Sequence, residues 1–468
     1  MAERLDGEKV APMTPTTTLV PSHSAEMPTA ASLAASAAAV DGGVLSNADL
    51  AAWLEDRRRA QAQRLERIPF AELEGWTFDE LTGDLRHHSG RFFSVHGLRV
   101  ASDFGPVPVW EQPIISQPEI GILGIALRDF DGIPHLLMQA KCEPGNINGV
   151  QLSPTVQATK SNYMRVHGGS QVPYLERFRH PEPGSVVADV LQSEQGSWFL
   201  RKRNRNMIIT VGPDIEAAED FTWLTLGQVN ALLREENLVN MDARTVLSCL
   251  PDWQARAVEA VHSDADIRSW ITRRRAEHEV RVTAIGLAKT GGWHMGDTEV
   301  SHERGQHFSI VAVDVSSARR EVRAWTQPLL KPHGTGLAAL FVRRFRGVPH
   351  ALLRARAEPG FVSVVELGPT LQCAPDNYAH LPSDLQPAYL DEVLARRADA
   401  VYDVKLSEEG GRFLHGENHY IIIESDDELP VTSDEFRWVS LRQVDELLRY
   451  GHHLNVQART LIAAWRSL

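Results

Sequence analysis

The sequence specifies an α/β fold, an α+β mixed sheet with flanking helices, built twice in tandem. Three observations carry that reading. An internal repeat spans almost the whole chain, apolar runs of strand length alternate with turn signals, and capping boxes open helices at equivalent places in the two halves.

The repeat is the strongest of the three. Trp110, Gln112 and Pro113 return 215 residues later as Trp325, Gln327 and Pro328. The same displacement carries Gly132, Pro134 and His135 onto Gly347, Pro349 and His350, and Glu143, Pro144 and Gly145 onto Glu358, Pro359 and Gly360. Leu152, Pro154, Thr155, Gln157, Asn162 and Tyr163 return as Leu367, Pro369, Thr370, Gln372, Asn377 and Tyr378; Asn240, Ala243, Arg244 and Thr245 return as Asn455, Ala458, Arg459 and Thr460. So long a period means duplicated domains, since solenoid units run to about 20–50 residues. The expected layout is a disordered leader over 1–48, too rich in Ala, Ser, Thr and Pro to bury a core, then a first module over 49–250. A polar linker over 251–267 leads to the second module over 268–468, and the modules are expected to pack as a pseudo-twofold pair.

Each module is expected to open with a charged helix, residues 53–67 in the first and 270–279 in the second. Strands over 120–127 and 133–139 are joined by Asp131-Gly132, because glycine tolerates the positive φ of a tight hairpin; Arg346-Gly347 serves the second copy. Residues 150–159 read as one strand, 174–178 as the start of a short helix, and 186–193, 198–201 and 207–211 as further strands. Thr225 with Gln228, and Ser440 with Gln443, cap the closing helices.

Composition bounds the function. A hydrophobic content of 43% supports real cores, and Cys142, Cys249 and Cys373, none in a CxxC pair, give neither a disulfide framework nor a thiolate zinc site. A reducing, cytoplasmic setting is expected, with no membrane partner, because no apolar run reaches the roughly 18 residues of a span. A net charge of −13 argues against nucleic acid, whose phosphates attract a basic chain. Among the basic residues 41 are Arg and 7 are Lys, which suits bidentate phosphate contacts and equally suits a GC-rich genome.

The densest polar block holds Gln139, Lys141, Glu143, Asn146, Asn148, Gln151, Ser153, Thr155, Gln157, Thr159, Asn162, Tyr163 and His167. Alternate strand positions from 151 to 159 direct amides and hydroxyls to one face, which can hydrogen-bond a polyhydroxylated ligand. The competing reading is a solvated face. The second copy keeps Arg354, Arg356, Glu358 and Tyr378 as candidate binding residues but changes Asn146 to Phe361, Asn148 to Ser363, Gln151 to Glu366 and Thr159 to Ala374. The first copy is therefore expected to react, and the second to be a divergent or vestigial pocket. Trp110 and Trp325 either stack on a base or fill a core.

The blocks Gln139-Ala-Lys-Cys-Glu-Pro-Gly-Asn and Gln151-Leu-Ser-Pro-Thr-Val-Gln-Ala-Thr, closed by Ser161-Asn162-Tyr163, resemble the signature of the NDP-hexose 2,3-dehydratases over both copies. The resemblance implies a duplicated Nudix-like module, a substrate such as dTDP-4-keto-6-deoxy-D-glucose, deoxysugar biosynthesis for antibiotics, and a homodimer. Neither copy carries the carboxylate-rich helix with which a Nudix hydrolase holds Mg²⁺, so no metal is expected and diphosphate hydrolysis is disfavoured. A noncatalytic nucleotide-sugar-binding protein is the other alternative.

Elimination across C2 and C3 needs no cofactor, because the C4 ketone acidifies the C3 hydrogen and the C2 hydroxyl is a β leaving group. It needs a base, a donor to the growing O4 oxyanion and an acid. By residue type, Lys141 is an enolate stabiliser or a phosphate contact, Glu143 a base, an acid or a turn cap, Tyr163 a base or a packing residue, and His167 an acid, a diphosphate donor or a loop histidine. Trp110, Gln139, Asn146, Asn148, Gln151, Ser153, Thr155, Gln157, Thr159 and Asn162 complete the binding set. The unstable diketone product implies an NADPH-dependent 3-ketoreductase as pathway partner.

Overall fold

The computed structural model describes residues 26–160, 172–253, 259–317, 323–425 and 429–468. Each module is centred on a seven-stranded mixed sheet. In the first, Val186–Ser193, Arg203–Thr210, Gly121–Phe130, Ile133–Cys142 and Phe221–Thr225 lie side by side, with Val150–Ser153 and Val156–Ala158 added against the central hairpin. Arg203–Thr210 runs parallel to Gly121–Phe130, and its other neighbour is antiparallel. The second module repeats the order with Gly336–Phe345 and Val348–Ala357 at its centre.

The hairpin turns as its sequence requires. Asp131 and Gly132 both take positive φ (55° and 86°), as do Arg346 and Gly347 (51° and 83°), which is the turn whose twist matches the flanking strands. One face of the first sheet buries Leu123, Ile125, Leu136 and Leu152 against Val229 and Val246 of the helices Leu226–Leu232 and Met241–Leu247. The other face packs Leu137, Met207 and Trp223 against Phe178 of the short helix Leu175–Arg179. Both capping boxes form, Thr225 with Gln228 and Ser440 with Gln443.

Five expectations are corrected. The first helix is Asn47–Ala60, and Gln63–Ile68, expected to continue it, is a strand whose exposure largely alternates, the signature of period two. The leader is not without order as far as residue 48: helix Ala30–Ala38 is capped by Thr29, buries Leu33, and Ser36 Oγ donates to the Pro134 carbonyl at 2.6 Å. Residues 150–159 form two short strands, because Pro154 has no N–H to give and Thr155 Oγ accepts from Ala126 N at 2.9 Å. Residues 198–201 contribute only an isolated bridge, Ile115 with Phe199. The helix Asp264–Glu277 also starts inside the expected linker, capped by Ser263.

The modules exchange strands. Gln63–Ile68 of the first pairs with Phe308–Ser317 of the second, while Val280–Ile285 of the second pairs with Ser94–Ser102 of the first. Each small five-stranded sheet is thus made by both halves. Helices Met241–Leu247 and Val456–Arg466 are tied reciprocally as well, Arg244 Nε donating to Thr460 Oγ1 (3.4 Å) and Arg459 Nε to Thr245 Oγ1 (2.7 Å). Arg244 donates to Val239 O (2.5 Å) and Ser407 O (2.7 Å); Arg459 donates to Leu454 O (2.5 Å) and Ser193 O (2.6 Å). Both guanidiniums are fully buried, and backbone carbonyls from both modules satisfy their donors, the condition under which burying such a group is tolerable. The expected pseudo-twofold pairing is an intertwined unit.

Candidate active site

The central hairpin ends on Lys141 and Glu143 just before the turn at Pro144 and Gly145. Lys141 Nζ stands 3.2 Å from Glu143 Oε1, and Gln157 Nε2 donates to the same oxygen at 3.1 Å. Gln157 is itself fixed: its Oε1 accepts from Ser153 Oγ (2.7 Å) and from Asn240 Nδ2 (3.1 Å). Asn240 caps the helix Met241–Leu247 through its Oδ1, leaving its amide free to reach this chain of bonds. A cation and a carboxylate are therefore held side by side on a rigid polar scaffold.

The second module builds the same scaffold with different chemistry. Arg356 Nε donates to Glu358 Oε1 at 2.7 Å, Gln372 Nε2 donates to that oxygen at 3.2 Å, and Asn455 Nδ2 donates to Gln372 Oε1 at 2.7 Å. Arg356 also donates to the Gln372 carbonyl, so its guanidinium is spent on internal partners. Arg354 is paired with Glu435 at 2.9 Å and lies over the rings of Phe104 and Phe436. Tyr378 is half-buried beside these two arginines and acts electrostatically on both.

Each scaffold faces a loop from the opposite module. Gly145 N donates to Gly410 O at 2.7 Å, and Gly360 N donates to Gly196 O at 2.7 Å, so the loop at 409–412 adjoins the first site and the loop at 195–198 the second. These approaches demand glycine: a Cβ on Gly145 would fall 1.8 Å from the Phe413 carbonyl oxygen. Here the symmetry breaks. The first site receives Glu409 and Arg412, where the second has Gln195 and Trp198; its helix carries Asp242, where the second has Gln457.

The result is a cluster of carboxyl groups at the first site. Burial drives Asp242 well above the usual carboxylate range, and the charges of Glu409, Glu194 and Glu143 add to that, against Lys141. Burial raises Glu409 too, opposed by Arg412 and reinforced by Glu143. Glu194, buried with its Oε2 unpartnered among the described residues, is pushed up to about 7 by burial and by Glu409. Acid–base chemistry near neutral pH needs groups displaced in this way.

Several expected site residues do other work. Gln151 is 1% exposed and exchanges hydrogen bonds with Ser407 of the other module, so it is interface. Thr155 ties two strands, donating to the Leu137 carbonyl. Asn146 closes its own turn by donating to Gly149 O at 2.7 Å, and Asn148 donates to Asn237 O at 2.8 Å. Trp110 sits on the exchanged sheet against Leu98, Val100 and Ile114, with its indole N–H on Gln112. Gln139 is half-buried on the hairpin strand that carries Lys141, and Thr159 is half-buried just past Val156–Ala158. Asn162, Tyr163 and His167 lie outside the described residues.

Sequence reasoning passed over Asn240, Asp242 and Glu409. Asn240 was visible as part of the repeat. Asp242 and Glu409 were visible only as exceptions to it, a carboxylate in one copy answering an amide in the other.

The profile of the NDP-hexose 2,3-dehydratase family matches residues 47–250 and again residues 264–465. The dTDP-4-dehydro-6-deoxy-alpha-D-glucopyranose 2,3-dehydratase of Amycolatopsis orientalis is 48% identical over 437 residues, covering 92% of each chain. Proteins of the same name from Saccharopolyspora spinosa (45% identical, 92% of this chain and 94% of that one) and Streptomyces violaceoruber (47%, 91% and 98%) are similar to the same extent.

Proposed function

We propose that this chain, which belongs to the NDP-hexose 2,3-dehydratase family, eliminates water across C2 and C3 of dTDP-4-keto-6-deoxy-D-glucose in the pocket of its first module. The observation that carries the reading is the Lys141–Glu143 pair at 3.2 Å on its hydrogen-bonded scaffold. In this mechanism the Lys141 ammonium faces O4 and stabilises the enolate as Glu143 takes the C3 proton. The electron pair then forms the C2–C3 double bond as the C2 hydroxyl leaves as water. The resulting enol tautomerises to the 3,4-diketo-2,6-dideoxy sugar nucleotide. That product can eliminate further and expel its nucleotide, so an NADPH-dependent 3-ketoreductase is the pathway partner the chemistry calls for.

The test is to incubate the protein with dTDP-4-keto-6-deoxy-D-glucose in D₂O, with and without EDTA, and follow sugar and nucleotide by NMR. Loss of the C3 proton and of the C2 oxygen, insensitive to EDTA and followed by free dTDP, is the expected outcome. Metal-dependent dTMP would point instead to a diphosphohydrolase, and binding without turnover to a noncatalytic nucleotide-sugar-binding protein.

A further inference from the structure

In the proposed reaction Glu143 must be ionised when substrate arrives, and part of its surroundings works against that. Glu409 borders it from the second module: a Cβ added to Gly411 would lie 2.9 Å from Glu409 Oε1 and 3.4 Å from Glu143 Oε1. Asp242, on the helix Met241–Leu247, also interacts with it electrostatically. Lys141 on its own strand is the cation beside it, while Arg412, Lys202 and Glu194 act on these neighbouring carboxyl groups. Like charges crowded into one site favour the protonated form.

The hydrogen bonds that reach Glu143 through Gln157 favour the ionised form, and their direction is fixed. The Ala243 backbone N–H can only donate, so the Asn240 atom that meets it at 2.8 Å is Oδ1. That turns Asn240 Nδ2, which can only donate, towards Ser153 Oγ and Gln157, both at 3.1 Å. The Gln157 atom that receives it is therefore Oε1, and the Ser153 hydroxyl secures this sense by donating to the same oxygen at 2.7 Å. Gln157 then has only its Nε2 to offer Glu143 Oε1, at 3.1 Å, beside Lys141 Nζ at 3.2 Å. Two donors on one carboxyl oxygen stabilise its charge. Were Gln157 reversed, its oxygen would face Glu143, a contact that only a proton on the carboxyl could mend.

We infer that Asn240 is a positioning residue, two hydrogen bonds removed from Glu143, that fixes the polarity of this relay and thereby holds Glu143 as the ionised base of the elimination. This rests on the dehydratase reading above. The relay moves no proton itself; it decides which end of Gln157 the base meets. The second module builds the same chain from the Ala458 N–H through Asn455 and Gln372 to Glu358, but it has Gly368 where the first has Ser153. The second donor to the glutamine oxygen, and with it the firmer hold on direction, belongs to the first module.

The experiment uses the full chain with Asn240→Asp and Asn240→Ser, both of which keep an oxygen to cap the helix. Asp presents only acceptors, so Gln157 turns to satisfy it; Ser withdraws the donor without adding charge. The pH profile of kcat/KM for dTDP-4-keto-6-deoxy-D-glucose is measured, since its acid limb reports the free enzyme's base. Asn240→Asp is expected to raise that limb by about 1–2 pH units, the scale of one charge-assisted hydrogen bond, and Asn240→Ser by less. The alkaline plateau and the affinity for dTDP should stay within a few-fold of wild type. Asn455→Asp makes the same change in the second module and should leave the limb in place. An unmoved limb in Asn240→Asp overturns the inference, as does a shift in Asp without one in Ser, which would be the added charge alone, or an equal shift in Asn455→Asp. Gln157→Glu leaves the cap intact and sets a carboxyl against Glu143; an unmoved limb there overturns the inference even if the Asn240 variants fail to fold. A wild-type protein that does not turn over refutes the dehydratase reading and this inference with it, whereas turnover with an unmoved limb refutes the inference alone.

Discussion

The two equivalent sites of this chain share one backbone, one glutamate, one glutamine and one asparagine, yet differ in the kind of cation beside the glutamate and in two neighbouring carboxylates. Lys141 with Asp242 and Glu409 answers Arg356 with Gln457 and Gln195. The scaffold residues answer to geometry, which both halves of a pseudo-twofold unit must satisfy. The charges answer to chemistry, which needs to happen once. A lysine is a compact ammonium that can serve an oxyanion, whereas the planar Arg356 fork is committed to Glu358 and a backbone carbonyl.

The sharpest way to break this comparison is to remove each cation in turn. Lys141→Gln is expected to lower kcat by ~10³-fold, the scale of removing an oxyanion donor, while Arg356→Gln costs less than tenfold. Steady-state turnover of dTDP-4-keto-6-deoxy-D-glucose decides it. Equal losses would make the pockets functionally equivalent, and a larger loss at Arg356 would move the reaction to the second module.

A second contrast lies at the interface and reads out in stability. Gln151 meets Ser407, while its counterpart Glu366 meets Ser193 and is fully buried. Burial pushes the Glu366 carboxyl up to about 7, so the native state keeps a proton there that the unfolded chain releases at lower pH. Between the unfolded carboxylate value and about 7 the native state binds more protons, and stability falls as pH rises; below that window the group has no effect. Glu366→Gln therefore should stabilise the protein by up to ~3 kcal/mol at pH 8 and by little at pH 4. Urea melts at the two pH values test this; the same gain at both would show that Glu366 is not the titrating group.

The repeat, the hairpin turns and the capping boxes were legible because each is local or is a comparison of the chain with itself. The strand exchange was not, since Gln63–Ile68 finds its partner about 250 residues away and nothing in six residues names it. The polar face was legible only in part. Amides and hydroxyls serve a ligand and a second module equally well, and the sequence does not distinguish Gln157, which holds Glu143, from Gln151, which holds Ser407. Asp242 and Glu409 show what a search for likeness misses: after a duplication, chemistry can reside where the copies disagree.

The smallest expected effect concerns the paired tryptophans. Trp325 donates to Gln327 Oε1 at 2.8 Å, and Gln327 donates to the Gly411 carbonyl at 3.1 Å, so this indole supports the loop that carries Glu409. Trp110 does the same through Gln112 for Ser197 on the loop of the second pocket. Replacing either by Phe removes one hydrogen bond, worth about 0.5–1.5 kcal/mol, and both variants should lose similar stability. Their turnover should differ: Trp325→Phe loosens a loop at the proposed reacting site and is expected to lower kcat by ~2–5-fold, whereas Trp110→Phe leaves it within about twofold. Matched melts with unmatched kcat values would show that the second module's loop serves the first module's chemistry. Matched values of both would reduce the two tryptophans to packing.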